Sequence, residues 1–344
     1  MEHKEYAAVD VAKLFFCFCI LFRHTGAYHE IPFSWYIQHG VFCLAVPFFF
    51  VVSGYFFGKG LKNVEISLEA KVKKYELRLL YPFCVFSAIN IILAIIDMYS
   101  KGESILWIIL RVGRSVLFYP YGALWYVWAS MIGMLLLYWF VKKERMTQAL
   151  GIGFILYLFA LLCNSYYFLI EGTPVQNIID LYLKITTSAR NGFFVGFLLL
   201  GLGIVLAQKE EKIDYSRDRK YIWILLLSSG ILMILEIIWI QNRTTADDHS
   251  LFLSQLIFIP MLLLILLNCK CEIERKNAVI LRNLSTGIYF MHRPLLTCLM
   301  YILSVFGLQD MNRIIVFVIL SVLCTVLCAI VYKSKKEPFY SLLR

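Results

Sequence analysis

His24 stands near the end of the first hydrophobic segment, and Lys13 and Asp10 lie behind it on the same helical stripe. At about 100° per residue, the step from Lys13 to His24 returns to within about 20° of one direction, roughly 16 Å further along the axis. Asp10 falls about 40° to the other side of His24 by the same count. A charge at the centre of a membrane span costs about 2.5–3.5 kcal/mol on insertion scales, and such groups face a bundle interior or an aqueous cavity. Three on one stripe point to a polar pocket inside a membrane protein. A neutral imidazole that titrates near neutral pH suits the removal of a proton from a hydroxyl. The alternative is that His24 only caps the outer end of its span and meets water or a headgroup. Lys13 and Asp10 either pair with each other or touch an anionic ligand arriving from the cytoplasm.

Four further places carry chemistry-bearing residues. In KVKKYELRLLYP at 71–82, Lys74 and Arg78 share a helical face at i, i+4 spacing. They form either a basic membrane anchor or a clamp for phosphates. Arg190 and Asn191 precede GFFVGFLLLGLG at the outer mouth of the sixth span. Gly192, Gly196, Gly201 and Gly203 there make a small-residue surface for tight helix contact, while Arg190 either snorkels to the interface or faces inward. Glu236 lies deep in the seventh span with no cation nearby in sequence, so it is either a site acid or a structural acid paired with Arg190 or Arg243. His292 and Arg293 interrupt the ninth span, where Pro294 frees a backbone carbonyl. A central histidine there lines a cavity or makes a helix contact. Ser53 precedes Gly54 in VPFFFVVSGYFFG, a packing pattern without the G-x-S-x-G elbow of a nucleophile. His3, His29, His39 and His249 are expected on surfaces or loops. Cys269 and Cys271 form a C-x-C pair with no second pair or nearby His, so no metal site is expected.

The elements that must hold these residues follow from composition. Of 344 residues, 60% are hydrophobic and 16% charged, with mean hydropathy +0.74, against roughly 45–50% and about 25% in a soluble globular chain. The expectation is an all-α polytopic membrane bundle of about ten transmembrane helices, one membrane domain over 1–344 with no separate soluble domain. The spans are expected near 9–26, 40–58, 79–98, 123–141, 148–170, 191–208, 220–241, 251–268, 285–305 and 312–332. The segment 103–117, apolar but short and carrying Arg111 and Arg114, reads as an interfacial or re-entrant helix. With the N-terminus inside, 23 of the 33 basic residues fall in inner segments, from Lys4 to Arg344. Seven fall outside and three within spans, which satisfies the positive-inside rule at every loop pair. Both termini are then cytoplasmic and the protein sits in the inner (cytoplasmic) membrane. The +10 charge serves topology and anionic lipid headgroups, and its spread over six segments argues against a nucleic-acid partner. The first span, interrupted by Lys13, does not read as a cleavable signal peptide.

Taken together these segments resemble the acyltransferase-3 family of bacterial membrane acyltransferases. The first span is similar to its signature, a basic residue eleven positions before a His, here Lys13 and His24 with Asp10 ahead. VPFFFVVSGYFFG, RLLYP at 78–82, LWYVWA at 124–129, RNGFF at 190–194 and STGIYFMH at 285–292 follow in the family's order. Two departures stand out: Lys13 replaces the usual Arg, and Tyr75 falls where the first Arg of an Arg-x-x-Arg pair is expected, leaving Lys74 and Arg78 as substitutes. Within the family the chain resembles the membrane half of vancomycin-resistance serine racemases, through ARNGFFVGF and the spacing around Glu236. The resemblance implies an acyl-CoA donor, most simply acetyl-CoA, entering from the cytoplasm. It implies an envelope carbohydrate or lipid-linked acceptor whose hydroxyl loses its proton to His24. Asp10 would orient Lys13, Lys74 and Arg78 would meet the donor, and Arg190, Asn191, Glu236 and His292 would shape the acceptor side. The rival expectation, from the racemase likeness, is a transporter-like domain for serine or another small amino acid.

Overall fold

The structure is a computed structural model that describes residues 6–243, 249–271, 273–337 and 339–343. His3, Lys4 and Arg344 lie outside the described residues. The described chain forms α1 (Ala7–Thr25), α2 (Ser34–Gly40), α3 (Ala45–Leu61), α4 (Leu68–Ser100), α5 (Ile105–Leu117), α6 (Trp125–Lys142) and α7 (Met146–Leu162). It continues with α8 (Pro174–Thr186), a π turn (Gly192–Gly196) leading into α9 (Phe197–Lys209), α10 (Tyr215–Gln241), α11 (Gln255–Leu267), α12 (Arg275–Val305) and α13 (Arg313–Ser334). No strand occurs among the described residues. This is the all-α bundle that the hydropathy requires, and the protein is a multi-pass membrane protein.

Each of the ten expected spans has a helix in its place. Seven are long and apolar enough to cross a membrane: α2 running on into α3, α4, α6, the π turn with α9, α10, α12 and α13. Of the other three, α1 has 19 residues but carries Asp10, Lys13 and Arg23, while α7 and α11 are apolar and shorter, with 17 and 13 residues. The boundaries differ where local capping decides them. The third expected span begins at Leu68 because Ser67 Oγ accepts the Ala70 N–H at 3.2 Å, a side-chain cap that draws the basic run into the helix. The fifth stops at Leu162 and not near 170. Residues 103–117 become α5, too short to span, with Ile105, Leu106 and Trp107 exposed and Ile108 buried. That matches a helix lying along the bundle's edge. A second short helix, α8, lies between the fifth and sixth expected spans, and Pro174 starts it with a fixed φ.

Backbone contact between α3 and α9 holds the centre. A Cβ on Gly54 would sit 2.1 Å from the Leu200 carbonyl oxygen, and one on Gly203 2.1 Å from that of Val51. Only glycine permits that approach, as the small-residue pattern implied. α1 and α12 lie side by side in the same direction: Asp10 is near Arg282, Cys17 Sγ donates to the Ser285 carbonyl at 3.2 Å, and the His24 ring meets His292. The bundle therefore has an Asp10 end and a His24 end. At the Asp10 end Lys59 pairs with Glu210 at 2.7 Å, Lys62 with Glu211, and Lys142 with Glu69 at 2.9 Å. The loops that the charge count assigned to one side do gather at one end.

Candidate active site

The last turn of α1 delivers His24. Gly26 ends the helix with φ +77°, its N–H donating to the Arg23 carbonyl at 3.2 Å, a left-handed stop that glycine takes without Cβ strain. His24 makes no hydrogen bond to the described residues. Its ring lies 5.2 Å from that of His292, tilted by 30°. His292 is fully buried, and its Nδ1–H donates to the Tyr289 carbonyl at 2.5 Å, leaving Nε2 without a partner. A carbonyl can only accept, so this bond sets the His292 tautomer. His292 thus stands behind His24 and braces it.

In front of His24 is a cavity of about 430 Å³, within the roughly 300–1,000 Å³ of small-molecule sites. Elements distant in sequence build its wall: Arg23 and His24 from α1, Arg111 and Arg114 from α5, the 119–123 turn, Trp125, Arg190, Ser250, and Tyr289 with Arg293 from α12. Tyr289 Oη donates to the Ala123 carbonyl at 2.7 Å, tying α12 to that turn. Arg190 points inward and does not snorkel. It donates to Tyr119 Oη at 2.6 Å and to Ser250 Oγ at 3.4 Å, with its guanidinium 5.0 Å from the Trp125 ring centre. Arg23, Arg190 and Arg293 all lie within electrostatic reach of the His24 imidazole.

The other residues singled out in the sequence are not brought to this cavity. Asp10 is buried and lies 3.4 Å from Lys13 and 3.5 Å from Arg282. Of the two sequence-level readings, the structure shows the mutual pair, with an arginine added from α12. Asn191 caps the π turn. Its Oδ1 accepts the N–H groups of Phe193 and Phe194 at 3.0 and 3.1 Å, and its Nδ2 donates to Tyr182 Oη at 3.0 Å. Glu236 pairs with neither Arg190 nor Arg243. Its carboxylate accepts Tyr166 Oη and the Leu253 N–H at 2.6 Å, the Ser254 N–H at 3.0 Å, and the Ser254 hydroxyl. It fixes the turn ahead of α11, where open N–H groups favour an anion. Lys74 and Arg78 are exposed on α4 at the Asp10 end, with Arg78 stacked 5.8 Å from the Tyr75 ring. Tyr75 itself is buried and shares a 3.0 Å hydrogen bond with Ser53, so a neutral hydroxyl pair fills the expected arginine position.

Of the histidines expected on surfaces or loops, His39 lies in α2, which corrects that expectation, and His249 lies in a loop. His39 and His249 are buried, and both pack on Trp35, with ring centres 3.9 and 5.3 Å away. Among the described residues no group of three or more His, Cys, Asp or Glu could hold a metal ion. Sequence reasoning also missed the arginine wall. Sequence reasoning reads Arg111, Arg114 and Arg293 only as breaks in apolar stretches and does not single out Arg23. The available signal was that they sit where the positive-inside rule disfavours basic residues.

Residues 6–333 match the model of a family described as an acyltransferase domain. An amino-acid racemase of Enterococcus faecalis is 25% identical over 347 residues, 98% of this chain and 47% of the relative. A second from the same organism is 26% identical over 262 residues, 73% of this chain and 34% of the relative. A serine/alanine racemase of Enterococcus gallinarum is 25% identical over 235 residues, 66% of this chain and 31% of the relative. The chain spans less than half the length of these curated relatives. No solved structure gives a significant match.

Proposed function

The chain belongs to the family of that acyltransferase domain, and from this premise we propose that it is a membrane O-acyltransferase. It transfers an acyl group, most simply acetyl, from acyl-CoA to a hydroxyl of an envelope carbohydrate or lipid-linked acceptor. The single observation that carries this reading is His24, whose imidazole makes no hydrogen bond to the described protein and opens on a 430 Å³ cavity with the buried His292 behind it. A base held this way has its lone pair available to a substrate. His24 takes the acceptor proton, the hydroxyl oxygen attacks the thioester carbonyl, and the carbon–sulfur bond breaks to release coenzyme A as its thiol, directly or by way of an acyl-imidazole. The Asp10 end faces the cytoplasm of the cell membrane, and there Lys74 and Arg78 offer exposed cations that suit the donor's phosphates.

The test is coenzyme A release by the purified full chain, supplied with acetyl-CoA and a panel of hydroxyl acceptors. Release that depends on an acceptor and vanishes in a folded His24→Ala variant is the expected result. Release that persists in that variant overturns the mechanism. The names of the relatives, amino-acid racemase and serine/alanine racemase, point to serine or a similar amino acid as the ligand of a second reading, a transporter-like domain. It requires serine uptake into liposomes holding this chain with no acyl donor present.

A further inference from the structure

The cavity wall holds more positive charge than the proposed acyl transfer needs. Five guanidinium groups line it, those of Arg23, Arg111, Arg114, Arg190 and Arg293, and no described lining residue is an aspartate or glutamate. Arg111 is matched from outside the cavity by Glu103 at 2.7 Å. Among the described residues the Arg293 guanidinium has no hydrogen bond or ion pair, and Arg114 donates to the Lys184 carbonyl at 3.5 Å. Elsewhere in the bundle Lys13 is paired with Asp10 and Lys59 with Glu210. Arg293 is half-buried and Arg114 is exposed at the rim; cations gathered on one cavity wall repel one another, and an anion that completes the site relieves that repulsion.

We infer that the molecule taken by this cavity carries an oxyanion, phosphate or carboxylate, close to the hydroxyl that reacts, and that Arg293 and Arg114 hold it. Naming that molecule the acceptor rests on the acyltransferase reading; the binding of an anion does not. A planar guanidinium presents paired N–H donors that fit two oxygens of a phosphate or carboxylate. Tyr121 also lines the cavity and offers a phenol O–H as a donor to the same anion. Because Arg293 also lies within reach of His24, an anion held there sets the acceptor beside the base. The inferred ligand class is therefore an anionic alcohol. A neutral sugar leaves both arginines unsatisfied.

The test needs no donor. The full chain in detergent or nanodiscs is titrated with inorganic phosphate and with acetate at constant ionic strength, read by calorimetry and by thermal shift. Saturable binding is expected, with affinity falling about 10–100-fold in Arg293→Gln and in Arg114→Gln. Arg293→Lys recovers part of it, and Lys142→Gln at the far end leaves it unchanged. Preference for phosphate points to a phosphorylated acceptor, and preference for acetate to a carboxylated one. No saturable binding of either, or binding indifferent to both glutamine variants in folded protein, overturns the inference. Phosphate displaced competitively by acetyl-CoA overturns the acceptor assignment, since the site then belongs to the donor. Anion binding without any acyl transfer defeats the proposed function alone.

Discussion

At one end of α1, Asp10 is held between Lys13 at 3.4 Å and Arg282 at 3.5 Å, deep against α12. At the other end, His24 packs against the ring of His292 and looks into a cavity walled by arginines. Both ends place ionisable groups inside a membrane bundle, yet they do so on opposite terms. The Asp10 cluster sets one carboxylate between two cations, so its charges stabilise the contact of α1 with α12. Among the described residues the His24 end keeps a lone pair and the Arg293 guanidinium without a partner. The teaching is that intramembrane charge alone does not mark a site; charge without an internal partner does.

Removing His24 has the largest expected effect on chemistry. His24→Ala should lower acceptor-dependent coenzyme A release by about 10²–10⁴-fold, the usual contribution of a general base. Its melting temperature should barely move, because the imidazole makes no hydrogen bond to the described residues. Release within tenfold of the parent would erase the distinction between the two ends.

At the other end the loss should fall on stability. Asp10→Ala leaves Lys13 with no carboxylate in a mostly buried place, and breaking a buried pair from one side costs about 3–5 kcal/mol. Unfolding in mixed detergent measures this, and adding Lys13→Met should restore most of it. A stable Asp10→Ala protein that has lost its transfer activity would make the Asp10 end chemical and dissolve the comparison.

The stripe from Asp10 to His24 was legible because helical periodicity and the cost of charge in a bilayer are local rules. So were the ten helices and the Gly54 and Gly203 contact with its backbone approach. What stayed hidden needed the third dimension. Glu236 looked unpartnered because the search was for a cation, whereas its partners are backbone N–H groups of Leu253 and Ser254 and the Tyr166 hydroxyl. Asn191 looked like a ligand residue because a cap and a site use the same amide. The cavity wall draws on α1, α5, α12 and the turn at 119–123, and no sequence window contains more than two of its arginines.

Glu236 gives an intermediate test, since it is an intramembrane acid with its oxygens fully engaged. Glu236→Gln keeps one acceptor and turns an N–H toward the N–H groups ahead of α11, so about 1–3 kcal/mol of stability should go. Turnover per folded molecule should hold. A fall in turnover with stability intact would move Glu236 back among the site residues.

The smallest effect is expected from the exposed cations of the Asp10 end. Lys74 and Arg78 project from α4 with no ion pair among the described residues, and Arg78 only stacks on Tyr75. Their loss therefore leaves no buried charge stranded, and stability should not change measurably. If they meet the donor's phosphates, each contributes one screened contact, so Arg78→Ala should raise the KM for acetyl-CoA a few-fold and leave kcat as it was. The effect should grow at low salt, because an exposed charge is screened within about 10 Å at 0.1 M. Tyr75→Arg supplies the missing member of the arginine pair, but it breaks the buried hydroxyl bond to Ser53, so it should cost stability without lowering KM. A KM unmoved by Arg78→Ala and by salt would leave Lys74 and Arg78 as membrane anchors, and the donor would have to be met by groups nearer the cavity.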